Sequence, residues 1–403
     1  MNAVGIDVSK GKSMIAVMRP FGEVVASPYE ISHTERELGG LIKFLKSLSG
    51  ETKVIMEYTG KYYQPIARYL REAGIFVSVI NALLVHDYGV NSLRRVKTDK
   101  KDAIKIANYG IDRWVELTEY TPEEDIRQML KTLNRQYNQY IKVKVMLKNN
   151  LIALLDQTFP DANRLFTSPP RKDGHEKWVD FTASFWHCKC VSDASENTFK
   201  ERYAKWCKKH RYNYSPTKTK EIYDRASDLV STLPKNDTSK LLVSQAITQL
   251  NSIAETLAAI MTEMQCLTTL LPEYDVVMGM YGVGPTLGPQ LMAEIGDVRR
   301  FYAKKALVAF AGLDSPPNQS GAFESKSRSM SKRGSASLRK TLFQVMSVIL
   351  QNSPPDEAVF QFLDKKRTEG KRYGVYMMAG ANKFLRIYYA RTKEYLTNLD
   401  EVV

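Results

Sequence analysis

Val4-Gly5-Ile6-Asp7-Val8-Ser9 sets a carboxylate inside an apolar run, near the start of a 403-residue chain. Val and Ile at this density read as a strand, and a carboxylate buried there needs a cation or a hydrogen-bond partner. Working outward, residues 13–18 and 23–31 read as hairpin neighbours of that strand, and 35–48 as an amphipathic helix. A strand at 53–58, a helix at 62–73, a strand at 76–80 and a basic loop entering a helix from Thr98 follow. Glu57 closes the strand that begins Val54-Ile55-Met56. Asp99 and Asp102 are spaced i, i+3 at a helix start, which puts both on one face.

Three strands, helix, strand, helix, strand, helix is the order of a ribonuclease H-like α/β fold. Four carboxylates from two strands and one helix suit a pair of magnesium ions, or manganese, because hard oxygen ligands stand there without His or Cys. Such a pair orients a hydroxyl and a scissile phosphate. The plainer alternative makes Asp99 and Asp102 first-turn acids favoured by the helix dipole and Asp7 a turn residue.

The segments Gly5-Ile6-Asp7-Val8-Ser9-Lys10, Met56-Glu57-Tyr58-Thr59-Gly60 and Lys97-Thr98-Asp99-Lys100-Lys101-Asp102-Ala103 resemble the three acidic motifs of the DEDD insertion-sequence transposases. This is the IS110 group, also called bridge recombinases, to which Piv-like invertases are related. The resemblance implies a RuvC-like first domain with Asp7, Glu57, Asp99 and Asp102 as catalytic metal ligands. Arg94, Arg95, Lys97, Lys100, Lys101 and Lys105 form a basic rim suited to phosphates beside the metals.

The whole composition agrees with a polyanionic partner: 58 Lys plus Arg against 44 Asp plus Glu leave a formal charge of +14. A solvated basic surface is the alternative source of such an excess. The length calls for two or three domains, and 43% hydrophobic residues supply their cores. Three of four cysteines lie between Cys188 and Cys207 without a signal-peptide pattern, which points to a reducing compartment. No apolar run approaches the ~18 residues of a membrane span. The expected setting is the cytoplasm of a prokaryotic cell, close to the nucleoid.

From Ile126 to Leu155 there is no acidic residue, while Arg127, Lys131, Arg135, Lys142, Lys144 and Lys148 are basic. Apolar residues there recur in fours and threes, as they do through Val243, Ile247, Leu250, Ala254, Leu257, Met261 and Met264. Two long helices pairing as a coiled-coil arm are expected. The basic face of the first, Lys142 and Lys148 included, lies along a nucleic-acid backbone or is simply solvated. Residues 165–235 break the periodicity with Ser168-Pro169-Pro170 and three of the four tryptophans, and read as an insertion at the tip of the arm. Cys188, Cys190, Cys207 and His210 there suit either a zinc site or packing as small hydrophobes, and the second is preferred.

At Met280-Tyr281-Gly282-Val283-Gly284-Pro285-Thr286 a glycine-rich turn precedes a helix at 287–295. Gly282 and Gly284 suit a helix-hairpin-helix that holds a phosphate on backbone amides, or a plain interhelical turn. Further on come Ala311-Gly312-Leu313, a proline-bearing loop, Ser320-Gly321, a basic stretch, and Ser331-Lys332-Arg333-Gly334 before a helix at 335–350. That array resembles the second domain of the same transposases. The match implies that Ser320 is the nucleophile, with Lys332 and Arg333 beside DNA. Chemistry alone does not select Ser320 from Ser315, Ser325, Ser327, Ser329 and Ser331, any of which suits a turn. Residues 355–403 read as a helical tail packed into the core.

The reading is therefore a RuvC-like domain at 1–115, a coiled-coil arm at 116–272 with its insertion, and a mostly α C-terminal transposase domain at 273–403. The expected activity is cutting and rejoining of double-stranded DNA through a phosphoserine. The resemblance adds a noncoding guide RNA encoded by the element, and the expected state is a homo-oligomer, dimer or tetramer. A hydrolytic junction nuclease and a non-enzymatic RNA-guided DNA-binding protein are the alternatives. The serine region shows no evident general base and the acidic region no covalent nucleophile, so the recombinase reading needs both.

Overall fold

The computed structural model describes residues 1–58, 62–80, 82–88, 98–120, 125–171, 173–315, 319–320, 323–324 and 329–402. The chain forms two compact units, Met1–Glu123 and Glu124–Val403. Among the described residues no helix is long and apolar enough to cross a membrane.

In the first unit β1 (Asn2–Val8), β2 (Lys12–Met18) and β3 (Val24–Ser32) form an antiparallel meander. After α1 (Glu35–Ser47), β4 (Thr52–Glu57) lies parallel to β1; after α2 (Tyr63–Glu72), β5 (Phe76–Ile80) lies parallel to β4. The strand order is β3-β2-β1-β4-β5. The element order is the expected one, with a short helix added, α3 (Ala82–Tyr88), before α4 (Asp99–Asp112). Val4, Ile6, Val54 and Met56 are buried with Leu38, Leu41 and Leu45 of α1 and Ile66 and Leu70 of α2. On the opposite face Ala3 and Ile55 are buried with Ile106 and Ala107 of α4. Cover on both faces is why β1 and β4 read as continuous apolar runs instead of alternating ones.

The second unit is mostly helical. Its elements are α5 (Asp125–Thr158), α6 (Lys177–Ser184), α7 (Lys189–Ser192), α8 (Glu196–His210), α9 (Pro216–Asp228), α10 (Asp237–Thr268), α11 (Tyr274–Met278), α12 (Leu287–Ile295) and α13 (Lys304–Phe310). The strands β6 (Gln319–Ser320) and β7 (Phe323–Glu324) follow, then α14 (Ala336–Asn352), α15 (Ala358–Thr368) and α16 (Tyr373–Val402). The two long helices α5 and α10 pack side by side, and Val243, Ile247, Leu250, Ala254, Leu257 and Met264 of the expected seam are buried. Leu130 of α5 and Met264 of α10 belong to a large core with α11 to α16. Leu151 and Leu155, with Val243 and Leu250, belong to a second, aromatic core with α6, α8 and α9. The start of one helix thus shares a core with the end of the other, so they run antiparallel. The tail does pack: Val359, Leu363, Met377, Leu385 and Tyr388 are in the large core.

One expectation is corrected on α5. Its basic residues are not all uncompensated, because the compensating acids come from distant segments. Arg127 is only 1% exposed and donates through both terminal nitrogens to the equally buried carboxylate of Glu273. Lys148 donates to Glu176 at 2.7 Å and sits over the Trp178 ring. Lys144 is half-buried and donates to the Gly174 carbonyl; burial pulls its ammonium below the ordinary lysine range. Arg135 and Lys142 remain exposed.

Candidate functional site

The four acids are carried to one end of the sheet by a close approach of backbones. The last register pair between β1 and β4 joins Ile6 to Met56, so Asp7 and Glu57 follow side by side at the strand ends. Both point away from the α1–α2 face, because their neighbours Ile6 and Met56 point into it. On the Asp7 side lies α4. A Cβ on Gly5 would fall well inside contact distance of the Ala103 carbonyl and 2.5 Å from the Ala107 nitrogen, so α4 rests directly on β1. A Cβ on Gly110 would strike the Ile55 side chain, and Lys53 Nζ donates to the Trp114 carbonyl at 3.0 Å.

From Ala103 to Trp114 the helix therefore descends from the level of Gly5 to that of Lys53, the register partner of Ala3. It runs opposite to β1. Its first turn, with Asp99 and Asp102, lies toward the end of the sheet where Asp7 and Glu57 sit. Thr98 caps that turn by accepting from Lys101 N at 3.3 Å. A second observation agrees. Lys12, just past the β1–β2 turn, has its ammonium raised by its hydrogen bond to Glu30 at 2.8 Å, with a smaller contribution from Asp99.

Asp7, Glu57 and Asp102 are half-buried and Asp99 is exposed. Among the described residues no three His, Cys, Asp or Glu groups stand close enough to hold a metal ion. The donor chemistry, oxygen only, fits a hard divalent cation. Lys100 and Lys101 are exposed in the same first turn and Lys105 is half-buried. Arg94, Arg95 and Lys97 lie outside the described residues.

The serine segment is held at its base by a different device. Residues 310–314 and 331–335 lie against each other: Ser331 N donates to Asp314 O at 2.8 Å, Lys332 N to Gly312 O at 3.2 Å and Ser335 N to Phe310 O at 2.8 Å. The Ser331 hydroxyl donates to the Asp314 carboxylate, and Arg339 donates to Ala311 O at 2.9 Å. A Cβ on Gly334 would run into Phe310 O and lie 2.7 Å from Gly312 N, while Gly312 itself is at φ +65°. These glycines allow the clasp. Beneath it the buried Glu294 carboxylate accepts from Asn134 at 2.9 Å and from Ser335, the cap of α14, at 2.8 Å. Between the two segments in sequence lie β6 and β7, which pair antiparallel with Ser320 in register with Phe323. Lys332 and Arg333 are exposed beside the clasp. Sequence reading missed Glu294, Asn134 and Arg339 as supports, since each acts across many residues; Asp314 was legible only as a neighbour of the Ala311-Gly312-Leu313 motif.

The Gly282–Gly284 turn joins α11 to α12. Gly282 is at φ +80° and a Cβ on it would meet Ile349, while a Cβ on Gly284 would enter open space. Tyr281 to Leu287, with Val348 and Asn352, line a shallow cavity of about 270 Å³. In the aromatic core Cys188, Cys190 and Cys207 are buried free thiols, and burial pushes Cys190 and Cys207 above the ordinary thiol range. His187 accepts from Lys189 N through Nδ1 and meets the Leu233 carbonyl through Nε2. His210 stacks on Trp206.

Comparison with known proteins gives two family matches, in order along the chain. A transposase model of the IS110 DEDD type matches residues 4–160, and a model of the transposase IS116/IS110/IS902 family matches residues 274–361. The chain is 22% identical over 338 residues to the pilin gene-inverting protein of Moraxella bovis, covering 84% of this chain and 79% of that one. It is 22% identical over 321 residues to an uncharacterized 44.8 kDa protein of insertion element IS116 from Streptomyces clavuligerus, covering 79% and 77%. A 42 kDa protein of insertion element IS900 from Mycobacterium paratuberculosis is 26% identical over 122 residues, 30% of each chain.

Proposed function

The chain belongs to the IS110 family of DEDD transposases, and from that premise we propose that it cuts and rejoins double-stranded DNA through a covalent bond to Ser320. Membership makes it a DNA recombinase, an enzyme acting on DNA with a divalent metal. The observation that carries the finer reading is the placement of Asp7, Glu57, Asp99 and Asp102 toward one end of a sheet ordered β3-β2-β1-β4-β5. That placement supports a RuvC-like reading of the first unit.

Asp7, Glu57, Asp99 and Asp102 would hold the metal, magnesium in this reading. When bound it polarises a phosphate and lowers the pKa of a coordinated hydroxyl. The Ser320 hydroxyl attacks phosphorus; the new bond is serine oxygen to phosphorus, and the bond that breaks joins phosphorus to a deoxyribose oxygen. The serine proton leaves as the sugar oxygen gains one, so the energy of the broken bond is kept in the phosphoserine and the reverse step reseals a strand. Lys100, Lys101, Lys332 and Arg333 are exposed cations suited to DNA phosphates. Lys142 on α5 is a further exposed cation suited to a phosphate, and the Gly282–Gly284 turn offers backbone amides to another.

Choice of donor and target by an element-encoded guide RNA belongs to the same proposal and rests on the family resemblance. The name of the Moraxella relative favours site-specific inversion as one outcome of the chemistry, transposition being the other. Supercoiled donor DNA incubated with protein and magnesium tests the reading. Protein–DNA adducts that survive boiling in detergent are expected; free nicked ends would identify a hydrolytic nuclease, and intact DNA a binding protein.

A further inference from the structure

Lys12 is a cation on the acidic face of the sheet that the proposed chemistry leaves unused. Asp7 pairs with Met14 in the β1–β2 ladder, and Met14 pairs with Glu30 in the β2–β3 ladder. Opposed residues of an antiparallel ladder share a face, and Lys12 lies two residues before Met14, so Asp7, Glu30 and Lys12 project from one side of the sheet. That side is the one α4 covers. Ile6, Ile15 and Ile31, each a sequence neighbour of Asp7, Met14 or Glu30, are buried with α1 and α2 on the other side, while Met18 is buried with Ile106 and Ala107 of α4.

The first turn of α4 reaches the same place. The helix packs against both β1 and β2, and Asp99 stands four and seven residues before the buried Ala103 and Ile106, on the side that meets the sheet. From Ala103, which touches Gly5, back to Asp99 the helix rises about 6 Å. From Gly5 to Asp7 the strand rises about 6.6 Å, so Asp99 comes level with Asp7. Lys12 stands just past both, beyond the register pair Val8–Ser13. Its backbone is fixed there: Ser9 N donates to Lys12 O at 3.0 Å, and His33 N donates to Gly11 O at 3.0 Å. Glu30 holds the ammonium at 2.8 Å, with Asp99 adding to the attraction.

We propose that Lys12 contacts a non-bridging oxygen of the phosphate engaged at the acidic site, and that Glu30 is a positioning residue that steers its ammonium there. The proposal rests on the metal-dependent recombinase reading and adds two residues to it. Four carboxylates match the four charges of two divalent ions, so the negative charge that grows on phosphorus oxygens during displacement needs a further cation. Lys12 stays protonated throughout; it neutralises charge and transfers no proton. Stability gives a poorer account of the pair, because its side chains are 54% and 49% exposed and ion pairs in water add little to folding.

The experiment compares the full chain with Lys12→Ala, Lys12→Arg and Glu30→Gln, all exposed positions, with urea midpoints to show that each variant folds. Manganese binding in the absence of DNA is followed by electron paramagnetic resonance. Cleavage of supercoiled DNA is followed as nicked plus covalently linked product, so the readout holds whichever group attacks phosphorus. Removing the ammonium beside Asp99 should tighten manganese binding about two- to fivefold, yet slow cleavage roughly 100-fold. Lys12→Arg keeps the charge and should keep the manganese affinity, with a rate within about tenfold of wild type. Glu30→Gln should slow cleavage by about three- to tenfold through a less well aimed ammonium. A merely structural pair would give equal rate changes in Lys12→Ala and Glu30→Gln and leave manganese affinity alone. Either of those results, or an undiminished rate in Lys12→Ala, would overturn the proposal. Wild-type protein that binds no manganese would instead remove the metal site itself, and the proposal with it.

Discussion

At Gly5 the first unit lets a fourteen-residue helix rest directly on a central strand; at Gly334 the second unit lets one loop segment lie against another. Both positions lack a Cβ because backbone atoms occupy its place, yet what holds each contact differs. The Gly5 contact is locked between Ile106 and Ala107 on one side and a sheet covered on its other face by α1 and α2. The Gly334 contact is held by three backbone hydrogen bonds and the Asp314–Ser331 pair. On the proposed mechanism the first contact would fix the metal ligands relative to one another, and the second would hold the base of the segment that carries Ser320.

The comparison breaks most visibly at Gly5. Gly5→Ala should cost at least about 3 kcal/mol, because the new methyl meets helix backbone that cannot step aside. Urea unfolding should give a lower midpoint with an unchanged slope, and a near-native midpoint would mean that α4 does not rest on β1. Gly334→Ala should also destabilise, by about 1–3 kcal/mol, because its methyl would meet backbone at Phe310 O and Gly312 N. Its rate of DNA adduct formation should fall by roughly 100-fold through a misplaced nucleophile. Equal losses in rate and stability would deny that the clasp positions the loop. The smallest effect is expected at Lys142. Lys142→Ala should lower the salt dependence of duplex binding by about one neutralised phosphate without touching stability, and an unchanged slope would leave Lys142 as a solvated cation.

Legibility followed the range of the interactions. Strands carrying Asp7 and Glu57 near their ends were readable because apolar runs and single acids are local signals, and the helix capped by Thr98 announced itself by that cap. The seam of α10 was equally local, and its residues are buried. The basic face of α5 was misjudged because its compensating partners are remote: Glu273 stands 146 residues from Arg127, and Glu176 stands 28 from Lys148. A run without acids says nothing about acids that the fold brings in. The support beneath the Ser320 loop was illegible for the same reason, since Asn134 reaches Glu294 across 160 residues.

The most direct test of the recombinase mechanism is the position and metal dependence of the covalent link. Wild-type protein is incubated with supercoiled donor DNA and magnesium, adducts are digested with nuclease and protease, and the modified peptide is located by mass spectrometry. The mechanism predicts phosphate on Ser320 alone among the serines of residues 315–331, no adduct from Ser320→Ala, and none from Asp7→Asn, which should fold normally. Adducts on another serine, or full adduct formation by Asp7→Asn, would contradict it.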